Sequence, residues 1–565
     1  MEFLVNNFVP LMFCGLIFFL LTGFPVAFSL AATGLGFGWL ANEIGLFPLS
    51  LFQALPLRLF GIMSNDTLLA IPFFTFMGIV LQRSGMAEDL LETIGQVFGR
   101  VRGGLAIAVI LVGALLAATT GVVSAAVISM GLISLPIMLR YGYNRSIATG
   151  VISASGTLAQ VVPPSLVLIV MADQLGRPVG DMYAGALIPA LLLILLYAVF
   201  IIGLAVFRAN WVTALPPEAL IYKEDDGASG HKSLLVVLGI AGAAGYVWSL
   251  VHEPFMSVIS GTDHVAEPAG LVISSMVIGA VVALAIAITN RLMRAQLLSK
   301  LTEQVVFVLI PPLVLVFLVL GTIFLGIATP TEGGAMGATG ALVMALARRS
   351  LGWKLLRQAL DHTALLTIFV MFIVIGATIF SFTFNAVDGI QVVGKLFDSL
   401  PGGYVGFLIA VNLLVFVLGM FIDYFEIAFI VIPILAPVAE QMGIDLVWFG
   451  VMLAMNLQTS FLTPPFGYAL FYLRSVAPKT DYTDLVTKRR IGKVTTGQIY
   501  KGSLVFILLQ VVMLVMVIVF PELVTNNLDR APTGDLNSIE LNVDRSGYEA
   551  PAMDMMDGFE VPKPG

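Results

Sequence analysis

Long apolar runs separated by short polar ones fill most of this chain. Runs of membrane-spanning length lie near 8–22, 25–41, 67–82, 146–172, 183–206, 233–252, 269–289, 304–326, 330–347, 361–384, 446–473 and 502–520. A helix of about 20 apolar residues crosses a bilayer, so each run predicts a span. The first two are short and meet at Gly23 and Pro25, which fits a tight helical pair or one kinked span. Two further apolar blocks, 103–140 and 402–440, are too long for one crossing and break midway. The first breaks at Thr119, Thr120, Gly121 and Ser124, the second around Gly419, Met420 and Asp423. Both read as re-entrant hairpins that enter and leave on the same side.

The run at 146–172 is interrupted in its middle by Ser153, Ser155, Gly156, Thr157 and Gln160, followed by Pro163 and Pro164. Pro164 removes a backbone donor and pushes Pro163 out of the helical region. The helix should break there, at a depth where broken backbone is tolerated only if buried in protein or lining a cavity. The run at 446–473 repeats the pattern with Asn456, Gln458, Thr459, Ser460, Thr463, Pro464 and Pro465. Pro163 and Pro464 are 301 residues apart, as are Pro136 and Pro437, and Gly142 and Gly443. Three landmarks in one register predict an internal repeat. Paired interrupted helices in two halves point to the central site of a transporter.

Composition agrees. Of 565 residues, 59% are hydrophobic and 11% charged, against roughly 25% charged in a soluble domain. The chain is predicted to be an all-α polytopic membrane protein. The N-terminus lacks a basic region and a small-residue cleavage site, so the first run is read as a retained span. The single cysteine, Cys14, excludes an intramolecular disulfide, and the four histidines lack ligand spacing. From Glu522 onward, nine acidic and three basic residues account for −6 of the net charge of −7. The remainder is near neutral, and nothing suggests nucleic-acid binding.

Lysine and arginine mark cytoplasmic loops. Basic loops fall at 83–102, 140–145, 291–300, 348–357 and 474–501. Placing them all inside works only if 103–140 and 402–440 do not cross. The first hairpin then enters from the cytoplasm, the second from the opposite side, and both termini are periplasmic. The halves, 1–208 and 303–520, become inverted repeats of a secondary transporter. Residues 209–302 add a polar loop (Lys223, Glu224, Asp225, Asp226) and two spans with no partner in the repeat, and 521–565 reads as a disordered periplasmic tail.

Asp423, in the second block, is either functional or the cap of the helix that follows, and Glu426 shares that ambiguity. Glu332, in Ala-Thr-Pro-Thr-Glu-Gly-Gly-Ala, better fits a helix start. The hydroxyls of Ser153, Ser155, Thr157, Thr459, Ser460 and Thr463 either bond back to helix carbonyls or act as ligands. No P-loop, nucleophile elbow or zinc-protease motif is present, so direct ATP use and hydrolytic catalysis have no support.

Thr-Thr-Gly-Val-Val-Ser, Leu-Pro-Ile-Met-Leu, Ala-Ser-Gly-Thr-Leu with Pro-Pro-Ser, Ala-Thr-Pro-Thr-Glu, Gly-Met-Phe-Ile-Asp and Asn-Leu-Gln-Thr-Ser-Phe-Leu-Thr-Pro-Pro occur in that order. With them the chain resembles the large membrane subunit of the tripartite ATP-independent periplasmic (TRAP) transporters over about 1–208 and 304–520. The resemblance implies an elevator mechanism in the bacterial inner membrane, in which a transport domain holding both hairpins and both broken helices slides against a scaffold. It implies sodium-driven uptake of a small carboxylate delivered by a periplasmic binding protein, with a small four-helix membrane subunit, expected as a separate chain, beside the scaffold. Beyond sodium no cofactor is implied. The 209–302 insertion and the tail depart from the shorter family pattern.

Sodium sites are expected where each hairpin tip meets the broken helix of its own half: 119–124 with 153–160, and 419–423 with 456–463. Freed carbonyls beside a helix break are hard oxygen ligands, and a proton-driven carrier would more often show several carboxylates or histidines at mid-membrane. Two other classes remain: a stand-alone ion-coupled carboxylate carrier, distinguished by uptake without a binding protein, and an intramembrane enzyme, disfavoured by the lack of paired acid and base groups.

Overall fold

The computed structural model describes residues 2–222, 230–260, 268–293, 297–399, 401–484, 486–526 and 528. The charged stretch 223–226 and nearly all of the acidic tail lie outside the described residues. α1 (Glu2–Asn6), α2 (Phe8–Leu21) and α3 (Val26–Glu43) open the chain. Gly23, at a φ of +81°, and Pro25 separate α2 from α3, so the first two runs are a helical pair. α4 (Leu55–Met63), α5 (Asp66–Arg83), α6 (Met86–Phe98), α7 (Gly104–Thr120), α8 (Val123–Arg140), α9 (Arg145–Thr157), α10 (Leu166–Leu175) and α11 (Val179–Phe207) follow. The inserted spans are α12 (His231–Ser260) and α13 (Pro268–Met293).

The second half runs through α14 (Lys300–Phe324), α15 (Pro330–Ala347), α16 (Trp353–Ala386), α17 (Gly389–Asp398), α18 (Gly403–Leu418), α19 (Tyr424–Ile430), α20 (Ile432–Gln441), α21 (Leu446–Phe461) and α22 (Tyr468–Val476). A short antiparallel ribbon, β1 (Tyr482–Thr483) with β2 (Arg490–Ile491), leads to α23 (Thr496–Val519) and α24 (Glu522–Thr525). α24 lies where a disordered tail is expected to begin. It is held because Val524 is fully buried, beside Gly185 of α11.

Among the described residues, eight helices are long and apolar enough to cross a membrane: α5, α8, α11, α12, α13, α14, α16 and α23. α15 is not one of them. Its glycines lower its hydropathy but let α5 approach closely: a Cβ on Gly337 would lie 2.5 Å from the Met77 sulfur. Small residues of this kind bring helix backbones together in membranes.

The repeat at a spacing of 301 carries through the fold. Asn144 and Asp445 cap α9 and α21, each accepting backbone N–H groups on its side-chain oxygen. Gly142 and Gly443 precede those caps at φ of +84° and +73°. Both Pro163–Pro164 and Pro464–Pro465 are cis. α10 packs against α19, α20 and α21 of the other half, and its counterpart α22 packs against α8 and α9. Reciprocal contacts of this form are the signature of two-fold symmetry.

The two interrupted blocks differ in detail. α7 and α8 pack on each other around the turn at Gly121. In the second block α18 lies chiefly along α21, where Asn456 Nδ2 donates to the Asn412 backbone and side-chain oxygens at 2.7 and 2.9 Å. Its other arm bends by 51° between α19 and α20, where Pro433 opens the second piece.

Candidate transport site

α9 and α21 are the buried centre of the molecule. Every residue from Ile147 to Thr157 is buried, as is every residue of α21. A helix apolar on all sides belongs in such a position, yet these two carry the polar residues the sequence singles out. Burial is possible because small residues admit neighbours. A Cβ on Gly150 would lie 2.4 Å from the Gly502 carbonyl oxygen of α23, and one on Gly156 would lie 2.3 Å from Val127 of α8.

α9 ends at Thr157, a single 3-10 turn covers Leu158–Gln160, and α10 restarts at Leu166. Ser165 stitches the gap: its hydroxyl donates toward the Ala159 and Gln160 carbonyls, both at 2.9 Å, and accepts from Val167 N–H at 3.2 Å. In the second half α21 ends at Phe461, and α22 begins after Thr463, Pro464 and Pro465, with no side-chain cap. Each interrupted block brings its turn to the break of its own half. A Cβ on Gly121 would lie 2.9 Å from Leu166, and one on Gly419 would lie 2.2 Å from the Ser460 hydroxyl.

The hydroxyls divide into two groups. Thr119, Thr157, Thr459, Ser460 and Thr463 bond back to carbonyls three or four residues earlier, at 2.8–3.1 Å. Ser153 and Ser155 are fully buried and their hydroxyls have no hydrogen-bonding partner; neither amide atom of Gln160 has one, nor does Oε1 of Gln458. Each is a buried polar group with bonding capacity to spare, which costs free energy unless a ligand or water satisfies it. Ser124 is half-buried beside the first turn, and the Thr120 side chain lies outside the described residues.

Thr157 and Gln458, equivalent positions of the repeat, meet: Gln458 Nε2 donates to Thr157 Oγ1 at 3.5 Å. Gln510 Nε2, from α23, donates to the same oxygen at 3.4 Å and to the Tyr197 hydroxyl of α11 at 2.8 Å. Thr157 Oγ1 thus has its one donor and both lone pairs engaged. Sequence reading missed Gln510 and Tyr197. A glutamine alone in the 502–520 run was the available signal.

Asp423 and Glu426 form a capping box at the start of α19. Asp423 accepts from Tyr424 N–H at 2.8 Å, and Glu426 accepts from Asp423 N–H at 3.1 Å. Thr329 and Glu332 do the same for α15. Cap geometry holds at all of these, and at Asp423 it occupies one carboxylate oxygen.

A two-fold arrangement of broken helices, buried all round and carrying unpartnered polar atoms, defines a membrane transport protein built from repeats. The chain belongs to the tripartite ATP-independent periplasmic transporter family, as its DctM component: the family's profile matches residues 13–262 and 265–523. The C4-dicarboxylate TRAP transporter large permease of Rhodobacter capsulatus is 28% identical over 83% of this chain and 90% of its own length. That of Pseudomonas aeruginosa is 27% identical over 77% and 83%. The sialic acid TRAP transporter permease of Haemophilus influenzae is 24% identical over 81% of this chain and 59% of its own.

Proposed function

We propose that this permease imports an organic acid together with sodium, the ion being held beside the broken helices. The observation that carries the proposal is the set of buried, unpartnered oxygens on Ser153, Ser155 and Gln160 in the half where Gly121 closes on the break. Sodium takes several hard oxygen ligands in a dry cavity. The negative end of α9 points at the break and favours a cation. In the second half, the first turn of α22 has backbone donors without a side-chain cap, the partner that a carboxylate prefers. In the second half Gly419, Asp423, Asn456, Gln458 and Thr459 supply the corresponding oxygens, with most hydroxyls engaged in helix bonds.

The substrate class follows the relatives, whose names specify C4-dicarboxylates and sialic acid, both organic acids. Family membership supports delivery by a periplasmic binding protein, a separate small membrane subunit beside this chain, and a location in the bacterial inner membrane. The interlocked unit of α7–α10 and α18–α22 is the natural moving body of an elevator, with α5, α14, α15 and α16 among the scaffold. The test is accumulation in proteoliposomes containing both membrane subunits and the binding protein, under an imposed sodium gradient and separately under a proton gradient. Uptake should follow sodium; uptake that follows protons and ignores sodium refutes the ion assignment. Full uptake without the binding protein refutes the delivery step.

A further inference from the structure

A polar cavity lies away from the two helix breaks, between the end of α8, the start of α9 and the β1–β2 ribbon. Its volume is about 450 Å³, and four arginines line it: Arg140, Arg145, Arg489 and Arg490. Two are neutralised. Arg140 Nε lies 2.9 Å from Asp484, and Arg490 lies 3.1 Å from Asp481. Asp484 is almost fully buried; burial pushes its carboxyl up, but bonds from Thr487 and Arg140 outweigh this and hold it at about 2. Its charge is therefore committed to Arg140 across the physiological range.

Arg145 and Arg489 have no carboxylate partner among the described residues. Arg145 is half-buried and reaches across the ribbon: a Cβ on Gly492 would sit 2.6 Å from its guanidinium nitrogen. The absence of a side chain at Gly492 is what lets that charge lie over the backbone. Lys488, in the turn of the same ribbon, and Lys493, just after it, are both exposed.

Position decides the ligand class. The cavity sits where α8 ends at Arg140 and α23 begins at Thr496, two helices long and apolar enough to span a membrane. It therefore opens at the level of the membrane surface, and positive charge predicts that surface to be the cytoplasmic one. Guanidinium forks match phosphate oxygens in pairs, and basic pockets between spans on this side take anionic headgroups.

We infer that this pocket binds a phosphate group through Arg145 and Arg489, supplied by an anionic phospholipid of the surrounding leaflet. Bound there, the headgroup would tie the ribbon that follows α22 to the junction of α8 and α9. It would thus bridge the two halves at a point remote from the transport site.

The test uses the full chain in mixed micelles of phosphatidylglycerol or of phosphatidylcholine, with retained lipid counted by native mass spectrometry. A separate arm titrates inorganic phosphate. The wild type should retain phosphatidylglycerol over phosphatidylcholine, and R145Q/R489Q should weaken that by about tenfold or more. R489Q alone, at an exposed side chain, keeps the fold and should still lower retention. Inorganic phosphate that binds in place of lipid, and is lost in the same variants, supports the site and makes free phosphate its ligand. Retention equal in wild type and variants, or no preference for anionic phosphatidylglycerol over zwitterionic phosphatidylcholine together with no binding of inorganic phosphate, overturns the inference.

Discussion

Ser153 and Ser155 show at the residue scale what a functional position costs. A buried hydroxyl without a partner forfeits about 1–3 kcal/mol relative to a satisfied one. Ser153→Ala and Ser155→Ala should therefore leave the melting temperature unchanged or raised while lowering sodium-driven uptake several-fold. Uptake equal to wild type in both variants would remove these hydroxyls from the ion site. The sequence displays all six hydroxyls at the breaks with equal weight, because the rotamer that decides between a bond back to the helix and an unpartnered hydroxyl depends on packing against neighbours distant in the chain. Ser155 lies against α7, a Cβ on Gly113 falling 2.5 Å from its own. Thr157 is satisfied by Gln458 and Gln510, 301 and 353 residues away. No local pattern distinguishes the two cases.

At the scale of elements, proline pairs, glycines at left-handed φ and apolar run length act within a few residues, and those features were legible. The breaks near Pro163 and Pro464, the Gly23–Pro25 turn and the two interrupted blocks all stand where the pattern puts them. Short amphipathic helices were not legible as such. α6 lies inside what reads as a basic loop, and α17 spans the short interval before Gly402; both follow a residue at positive φ, Gly85 and Asp388. The capping box at α19 allows a clean separation of roles. Asp423→Ala removes the cap and should destabilise by about 1 kcal/mol. Asp423→Asn keeps an acceptor for Tyr424 N–H and should preserve stability, yet raise the sodium concentration needed for half-maximal uptake. An unchanged sodium dependence in Asp423→Asn confines Asp423 to capping.

For the whole molecule, the repeat is the feature the sequence announces most clearly, and charge bias predicts its orientation. A reporter placed in the exposed ribbon turn at 486–488 should be cytoplasmic, and one at the N-terminus periplasmic. A periplasmic signal from the ribbon would invert the assignment and move the arginine pocket to the other face. The inserted α12 and α13 pack on each other and α13 on α14, with Gly245 and Gly279 admitting close backbone contact. They leave the repeat intact because they enter between its halves rather than within either.

The exchange of α10 and α22 between halves also bears on how the chain is made. α10 leaves the ribosome about 250 residues ahead of the α19–α21 surface that receives it, an interval of roughly ten seconds to a minute at ordinary elongation rates. During that time its ten residues, nearly all buried in the finished protein, have no permanent neighbours on one side. α22 has the opposite experience, since α8 and α9 already exist when it is synthesised. The first half must therefore persist as an open, unfinished structure in the bilayer, exposed to quality-control proteases, until the second half closes over it.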